Sequence, residues 1–285
     1  MVSFQSHHGF GIQLFNYAYA RCVAEHFGCQ LRHDSHDGYD KISSGNQFVL
    51  PKYFDLDFNP AGKVIVGEPV KYTARHKLRF AEIDATAPIF LQGWYERCDQ
   101  LKDFKEKIKT EWLRFRQPNN YQFAAGELGV HVRLGDKTRE QQTLSRAYYA
   151  DAIRRTEHGR LYWFTDSPGS DFMLGLQRQF GGEIVSGSFI EDFKMLLKFD
   201  KLVTSASTYS FWAAWLGEAR EIVAPKQGQL AYGGSWVHDA YADCDYWPAE
   251  KRYVYLAKPA WVELCARPWP GMRRVKNVWR RVAGR

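Results

Sequence analysis

The chain has 285 residues, 45% hydrophobic and 25% charged, the mixture of a globular protein long enough for two modest domains. It holds no run of 18 apolar residues and opens on Met1-Val2-Ser3-Phe4 without a basic-then-apolar leader, so a cytoplasmic protein with no transmembrane helix is expected. The net charge of +7 sits in residues 267–285, where Arg267, Arg273, Arg274, Lys276, Arg280, Arg281 and Arg285 meet no acid; the other 32 basic residues balance 32 acidic ones, which argues against a nucleic-acid partner.

In chain order, Met1–Phe4 reads as a short strand and His8-Gly9-Phe10-Gly11 as a turn. From Ile12, apolar Phe15, Tyr19, Cys22, Val23 and Phe27 recur at helical spacing until Gly28. Residues 34–86 are rich in turn formers and show no clear period. Ala87–Leu91 predicts a buried strand, Phe104–Phe115 an amphipathic helix, and Gln117-Pro118-Asn119-Asn120 a linker dividing the chain into 1–120 and 121–285. Beyond it, strands are predicted at Leu128–Arg133, Leu161–Thr165, Glu183–Val185, Lys201–Thr204 and Glu221–Ala224. Helices are predicted between them at Ser145–Thr156, Asp171–Gln179, Glu191–Phe199 and Thr208–Leu216. This alternation predicts an α/β fold with a parallel, doubly wound sheet, whose ligands lie at the carboxyl ends of the strands.

Three constellations fall at such ends. In His131-Val132-Arg133-Leu134-Gly135-Asp136, alternation puts His131 and Arg133 on one face as the strand runs into a glycine turn. An arginine fork there suits a diphosphate, because its planar donors match phosphate oxygens and stay charged; the other reading is a local Arg133–Asp136 ion pair. Glu191-Asp192 opens a helix, and Val203–Leu216 runs from strand through Thr204, Ser205, Ser207 and Thr208 into an aromatic helix. Such hydroxyls at a helix start serve either an anion or an ordinary N-cap, and Trp212 and Trp215 read as core. The paired glycines Gly9 and Gly11 let backbone approach a ligand. No phosphate-binding GxxxxGK[ST] loop occurs.

No metal site is expected. The triplets Asp55-Leu56-Asp57 and Asp243-Cys244-Asp245 follow no clear strand, and His33-Asp34-Ser35-His36-Asp37 reads as a solvated loop. Five cysteines, Cys22, Cys29, Cys98, Cys244 and Cys265, form no CxxC pair and are expected to be reduced thiols. In the basic tail, Trp269, Val275, Val278 and Trp279 accompany the arginines. That composition fits an anionic membrane surface, and equally a helix packed on the body with a solvated basic face.

Taken together, the motifs resemble the α-1,2-fucosyltransferase family. His8-Gly9-Phe10-Gly11-Ile12-Gln13-Leu14-Phe15-Asn16-Tyr17-Ala18-Tyr19-Ala20 is similar to its GGxGNQxFxYAxA opening, and Gly93-Trp94-Tyr95-Glu96 to its G-Y/F-x-Q segment. His131–Asp136 matches HxRxGD at every fixed position, and Glu191–Leu216 resembles the acidic helix followed by NSxFSWWAAWL. The resemblance implies a GT-B architecture of two Rossmann-like domains facing a cleft, with 1–120 on the acceptor side and 121–285 binding the nucleotide sugar. It implies an inverting, metal-independent transferase with GDP-fucose as co-substrate and no further cofactor, acting on a glycan hydroxyl in surface polysaccharide synthesis. Carried over, Arg133 binds the diphosphate, His131 and Asp192 contact the nucleoside, Ser207 and Thr208 hold phosphate oxygens, and Gly9, Phe10 and Gly11 approach the donor. For the catalytic base, the glutamate that related α-1,6 fucosyltransferases carry just downstream of their HxRR motif points to Glu140, with Asp136 second. Ile12 and Ala206 replace two family asparagines near the expected donor site, which leaves open another GDP-hexose or a non-catalytic glycan-binding relative.

Overall fold

Two parallel sheets organise the computed structural model, which describes residues 1–6, 9–34, 48–75, 78–96, 98–135, 143–185, 187–225 and 250–256. The expected bases Asp136 and Glu140, the Asp243–Asp245 triplet, His36, Asp37 and the tail 267–285 lie outside the described residues. The first half holds strands β1 (Val2–Phe4), β2 (Leu31–His33), β3 (Phe54–Leu56), β4 (Val70–Arg75), β5 (Ile89–Trp94) and β6 (Leu113–Phe115). Its four-stranded sheet has the order β2-β1-β5-β4, parallel at each pairing, while β3 and β6 pair as an antiparallel ribbon. Helix α1 (Phe10–His26) follows β1 and is buried along nearly its whole length.

The second half contains β7 (Leu128–Val132), α2 (Arg146–Arg155), β8 (Leu161–Thr165), α3 (Asp171–Phe180), β9 (Glu183–Val185), α4 (Phe189–Leu196), β10 (Lys201–Val203), α5 (Thr208–Leu216), β11 (Glu221–Pro225) and β12 (Tyr253–Leu256). The six-stranded order is β12-β11-β10-β7-β8-β9. Strand order therefore reverses between β7 and β10, the place where doubly wound sheets open a crevice for ligands. Each of α2 to α5 begins on a serine whose hydroxyl accepts a first-turn N–H: Ser145, Ser170, Ser188 and Ser207. Such caps satisfy donors that a helix start otherwise leaves unpaired, each contributing about 1 kcal/mol.

The halves are joined by one hydrophobic core. Phe15 of α1 lies 4.8 Å from the rings of both Phe211 and Trp212 of α5. Trp212 and Trp215 are fully buried core residues, as the sequence predicts. The predicted helix Phe104–Phe115 is corrected at its end: helical turns reach only Trp112, and Leu113–Phe115 is β6. Pairing of Phe115 opposite Phe54, with their rings 4.6 Å apart, overrides the helical spacing. Helix α4 starts at Phe189, two residues before its predicted start, because Ser188 caps it. Cys22, Cys29 and Cys98 are buried thiols outside any disulfide. No helix among the described residues is long and apolar enough to cross a membrane.

Candidate functional site

A cleft of about 510 Å³ opens where β7 and β8 end and where α1, α4 and α5 begin. Gly9, Phe10, Gly11, His131, Arg133, Asp192, Ser207 and Thr208, separated by up to 199 positions in sequence, all line it. The β-alternation of β7 and the long crossovers that return each helix to the same sheet edge bring them together.

His131 is buried, with Nδ1 2.7 Å from Ser205 Oγ and its ring 5.1 Å from that of Tyr209. Burial, and secondarily the Arg133 charge, push its pKa down to about 3. The imidazole therefore stays neutral across the working range and serves as a hydrogen-bonding group rather than a proton acceptor.

Arg133 sits just past β7, and its Nη1 lies 2.6 Å from Oδ2 of Asp166. The other oxygen of Asp166 accepts the backbone N–H groups of Leu134 (3.0 Å) and Gly135 (3.2 Å). Asp166 thus ties down both the guanidinium and the turn that carries it. A Cβ at position 135 would lie 2.6 Å from Asp166 Oδ2, which explains the glycine of the HVRLGD turn. Sequence reasoning pairs Arg133 with Asp136 and passes over Asp166. The signal was present, since Asp166 immediately follows the predicted strand Leu161–Thr165 at a ligand-facing end.

Asp192 lies in the first turn of α4. The Gly187 N–H donates to its carboxylate, yet Oδ1 is buried without a hydrogen-bond partner. Burial raises its pKa to about 6, with the Glu191 charge adding to the rise and the Gly187 N–H opposing it. Glu191 itself is engaged elsewhere, by Tyr121 Oη at 2.8 Å and Lys194 Nζ at 3.2 Å. An unpartnered buried acceptor is unfavourable, and a ligand N–H would satisfy it.

Ser207 lines the cleft, but its hydroxyl accepts the Tyr209 N–H at 3.3 Å, so the N-cap reading describes it. The roles of the two glycines differ. No atom lies within 4 Å of a Cβ built at Gly9, which begins α1 without a side-chain cap. A Cβ at Gly11 would instead lie 2.5 Å from Thr208 Oγ1 and 2.6 Å from the backbone of Thr208 and Tyr209. Gly11 is there because the starts of α1 and α5 abut. Both helices therefore direct their positive ends into one cleft, a setting that favours an anion. Phe10 completes the wall, its ring 5.1 Å from Phe193, 5.3 Å from Phe189 and 6.1 Å from Tyr209.

Other expected positions lie elsewhere. Ile12 and Ala206 do not line the cleft. Within the Gly93–Glu96 segment, Tyr95 is buried and acts in packing, its ring stacked 4.5 Å from Tyr19 and its hydroxyl donating to Tyr72 O. Asp55 pairs with Arg114 at 3.0 Å and Asp57 with Arg21 at 2.8 Å, so arginines occupy this D-x-D triplet. His33 stacks on Phe48 at 4.0 Å.

Neither a family model nor a curated protein matches the chain by sequence. Solved structures match it in fold. The NodZ α-1,6-fucosyltransferase soaked with GDP-fucose superposes with a TM-score of 0.54 at 15% identity, covering 78% of this chain and 93% of its own. The selenomethionine fucosyltransferase NodZ from Bradyrhizobium gives 0.55 at 14% identity, covering 79% and 94%. NodZ co-crystallized with GDP gives 0.53 at 15% identity, covering 79% and 94%. At such identity the likeness is one of architecture: the chain has the α/β GT-B fold of these fucosyltransferases, two parallel-sheet halves facing a cleft.

Proposed function

We propose that the protein is a glycosyltransferase that moves a sugar, fucose foremost, from a GDP-sugar to a glycan hydroxyl with inversion and without a metal ion. The observation that carries this reading is one cleft lined by two unlike kinds of group. Arg133 and the starts of α1 and α5 offer positive charge, while Asp192 holds an unpartnered carboxylate oxygen. A nucleoside diphosphate has the matching polarity, with anionic phosphates at one end and N–H donors on guanine at the other. The fold shared with NodZ, whose structures were obtained with GDP and with GDP-fucose, supports the same donor. The α-1,2 linkage rests on the motif resemblance alone.

In this reading the acceptor oxygen attacks the anomeric carbon as the bond to the β-phosphate oxygen breaks and GDP departs. Arg133 neutralises the charge that develops on GDP, held in place by Asp166, and the helix starts add fixed partial charge. His131, neutral and tied to Ser205, orients the nucleoside side. Removal of the acceptor proton is assigned to Glu140 or Asp136 on the resemblance.

The test is a calorimetric panel of GDP, UDP, ADP and CMP in EDTA, followed by hydrolysis of the matching sugar nucleotides. GDP should bind best, and GDP-fucose should be hydrolysed with EDTA present. Preference for UDP would defeat the donor assignment, and activity restored only by Mg²⁺ or Mn²⁺ would defeat metal independence. GDP-mannose favoured over GDP-fucose would keep the site and change the sugar.

A further inference from the structure

Phe189 is the one large aromatic among the exposed hydrophobic side chains of the described residues, and it lines the cleft. It is the first residue of α4 and remains 44% exposed. A half-exposed aromatic ring inside a ligand-sized cleft is a surface that a ligand can cover, and covering it is favourable. Its surroundings hold it in place. Its ring meets Phe10 at 5.3 Å and Tyr53 at 5.5 Å, both at steep interplanar angles. Its backbone oxygen accepts the Tyr209 hydroxyl at 2.6 Å. The ring is therefore supported from the first half of the chain and anchored from the second.

Asp192 stands three residues further along the same helix, one turn away on the same face. One turn of helix thus presents an apolar ring and, beside it, a buried carboxylate oxygen without a partner.

We infer that Phe189 is the stacking platform for a purine base whose edge is held by Asp192, an assignment that rests on the nucleotide-sugar reading above. The two residues divide the recognition. The ring takes any base by its face and favours purines, which cover more of it. The carboxylate takes only a base that offers two adjacent donors, as guanine does with N1–H and its amino group, and adenine, whose N1 is an acceptor, does not.

Calorimetry with GDP, ADP and UDP on the full chain and its variants tests this division. Phe189→Ala should weaken GDP and ADP by a similar factor, about 5- to 100-fold. Phe189→Tyr should bind as the parent protein does. Phe189→Leu, which keeps apolar bulk without a π face, should weaken both nucleotides and guards against a folding defect in the alanine variant. Asp192→Asn should weaken GDP and leave ADP nearly unchanged, narrowing their ratio. If the parent protein binds GDP and Phe189→Leu binds it equally well, the platform is overturned while the donor reading stands. If the parent protein binds no nucleotide, both fall.

Discussion

The two halves of the molecule contribute unlike things to one cleft. The second half brings the polar groups, His131, Arg133, Asp166 and Asp192, on strand ends and helix starts of a six-stranded sheet. The first half brings mainly shape, through the glycine start of α1, the Phe10 ring and Val49, with one uncharged polar side chain, Gln13, whose Oε1 accepts the Val49 N–H at 2.9 Å. Even their helices differ, since each long crossover helix of the second half starts on a serine cap whereas α1 starts on Gly9 with no side-chain cap. The difference teaches that charge is placed on one rigid frame and that the other frame closes against it. Substitutions in the second half should then act on turnover, and those in the first on how closely the halves meet.

The largest expected effect breaks that contrast on the second half. Arg133→Ala should lower kcat on the order of 10²–10³, about 3–4 kcal/mol of transition-state stabilisation, and should weaken GDP as well, because the departed nucleotide carries the fully developed charge. Arg133→Lys should rescue only part, because an ammonium lacks the fork. If Asp166 acts through Arg133, Asp166→Asn should cost much less in the Arg133→Ala background than alone, which a double-mutant cycle of kcat/KM would measure. Equal effects in both backgrounds would reduce Asp166 to a turn-holding residue.

A smaller effect is expected from the first half. Gly11→Ala puts a Cβ against the backbone of Thr208 and Tyr209, neither of which can swing away. Overpacking of this kind destabilises by about 1–3 kcal/mol, which lowers Tm by several degrees. Gly9→Ala, where the same atom meets open space, should leave Tm nearly unchanged. Equal Tm values for the two variants would contradict the abutment of α1 and α5.

The smallest effect sharpens the role of Asp192. Its pKa, raised to about 6 in the folded chain, means that the native state holds this proton more tightly than the unfolded chain does. The group's contribution to stability is therefore fully present below the ordinary carboxylate pKa and is lost as pH rises through about 6. Binding runs the other way, because a guanine edge needs the ionised carboxylate. GDP-sugar affinity should rise from pH 5 to pH 7 and level off above it, and the rise should vanish in Asp192→Asn. A sugar diphosphate is the right probe because its phosphates do not titrate in this window, unlike the terminal phosphate of GDP.

Much of the second half was legible because its strands alternate with helices of regular length, and β7, β8, β9 and α5 begin where the sequence places them. The first half was legible only in β1, α1 and β5. Its strands β2 and β3 are three residues long, too short for a period to emerge, and β4 and β5 are joined without a long helix. The strand β6 was hidden inside a helical pattern that its ribbon partner overrides. In the site, strand ends pointed to His131 and Arg133, but Asp166 was missed although it ends the neighbouring strand. Its importance depends on which strands are neighbours in space, and β7 lies beside β8 only once the sheet order is known.

The aromatic seam between α1 and α5 bears on modularity. Phe15, Phe211, Trp212 and Trp215 are all fully buried in a core that both halves build. Cutting the chain between the halves would bare those rings on each side, so neither piece has a finished surface of its own. The halves of this chain are therefore not interchangeable cassettes. A first half grafted from another GT-B protein would need an aromatic matching Phe15 and a glycine matching Gly11 before it could seat on this second half at all.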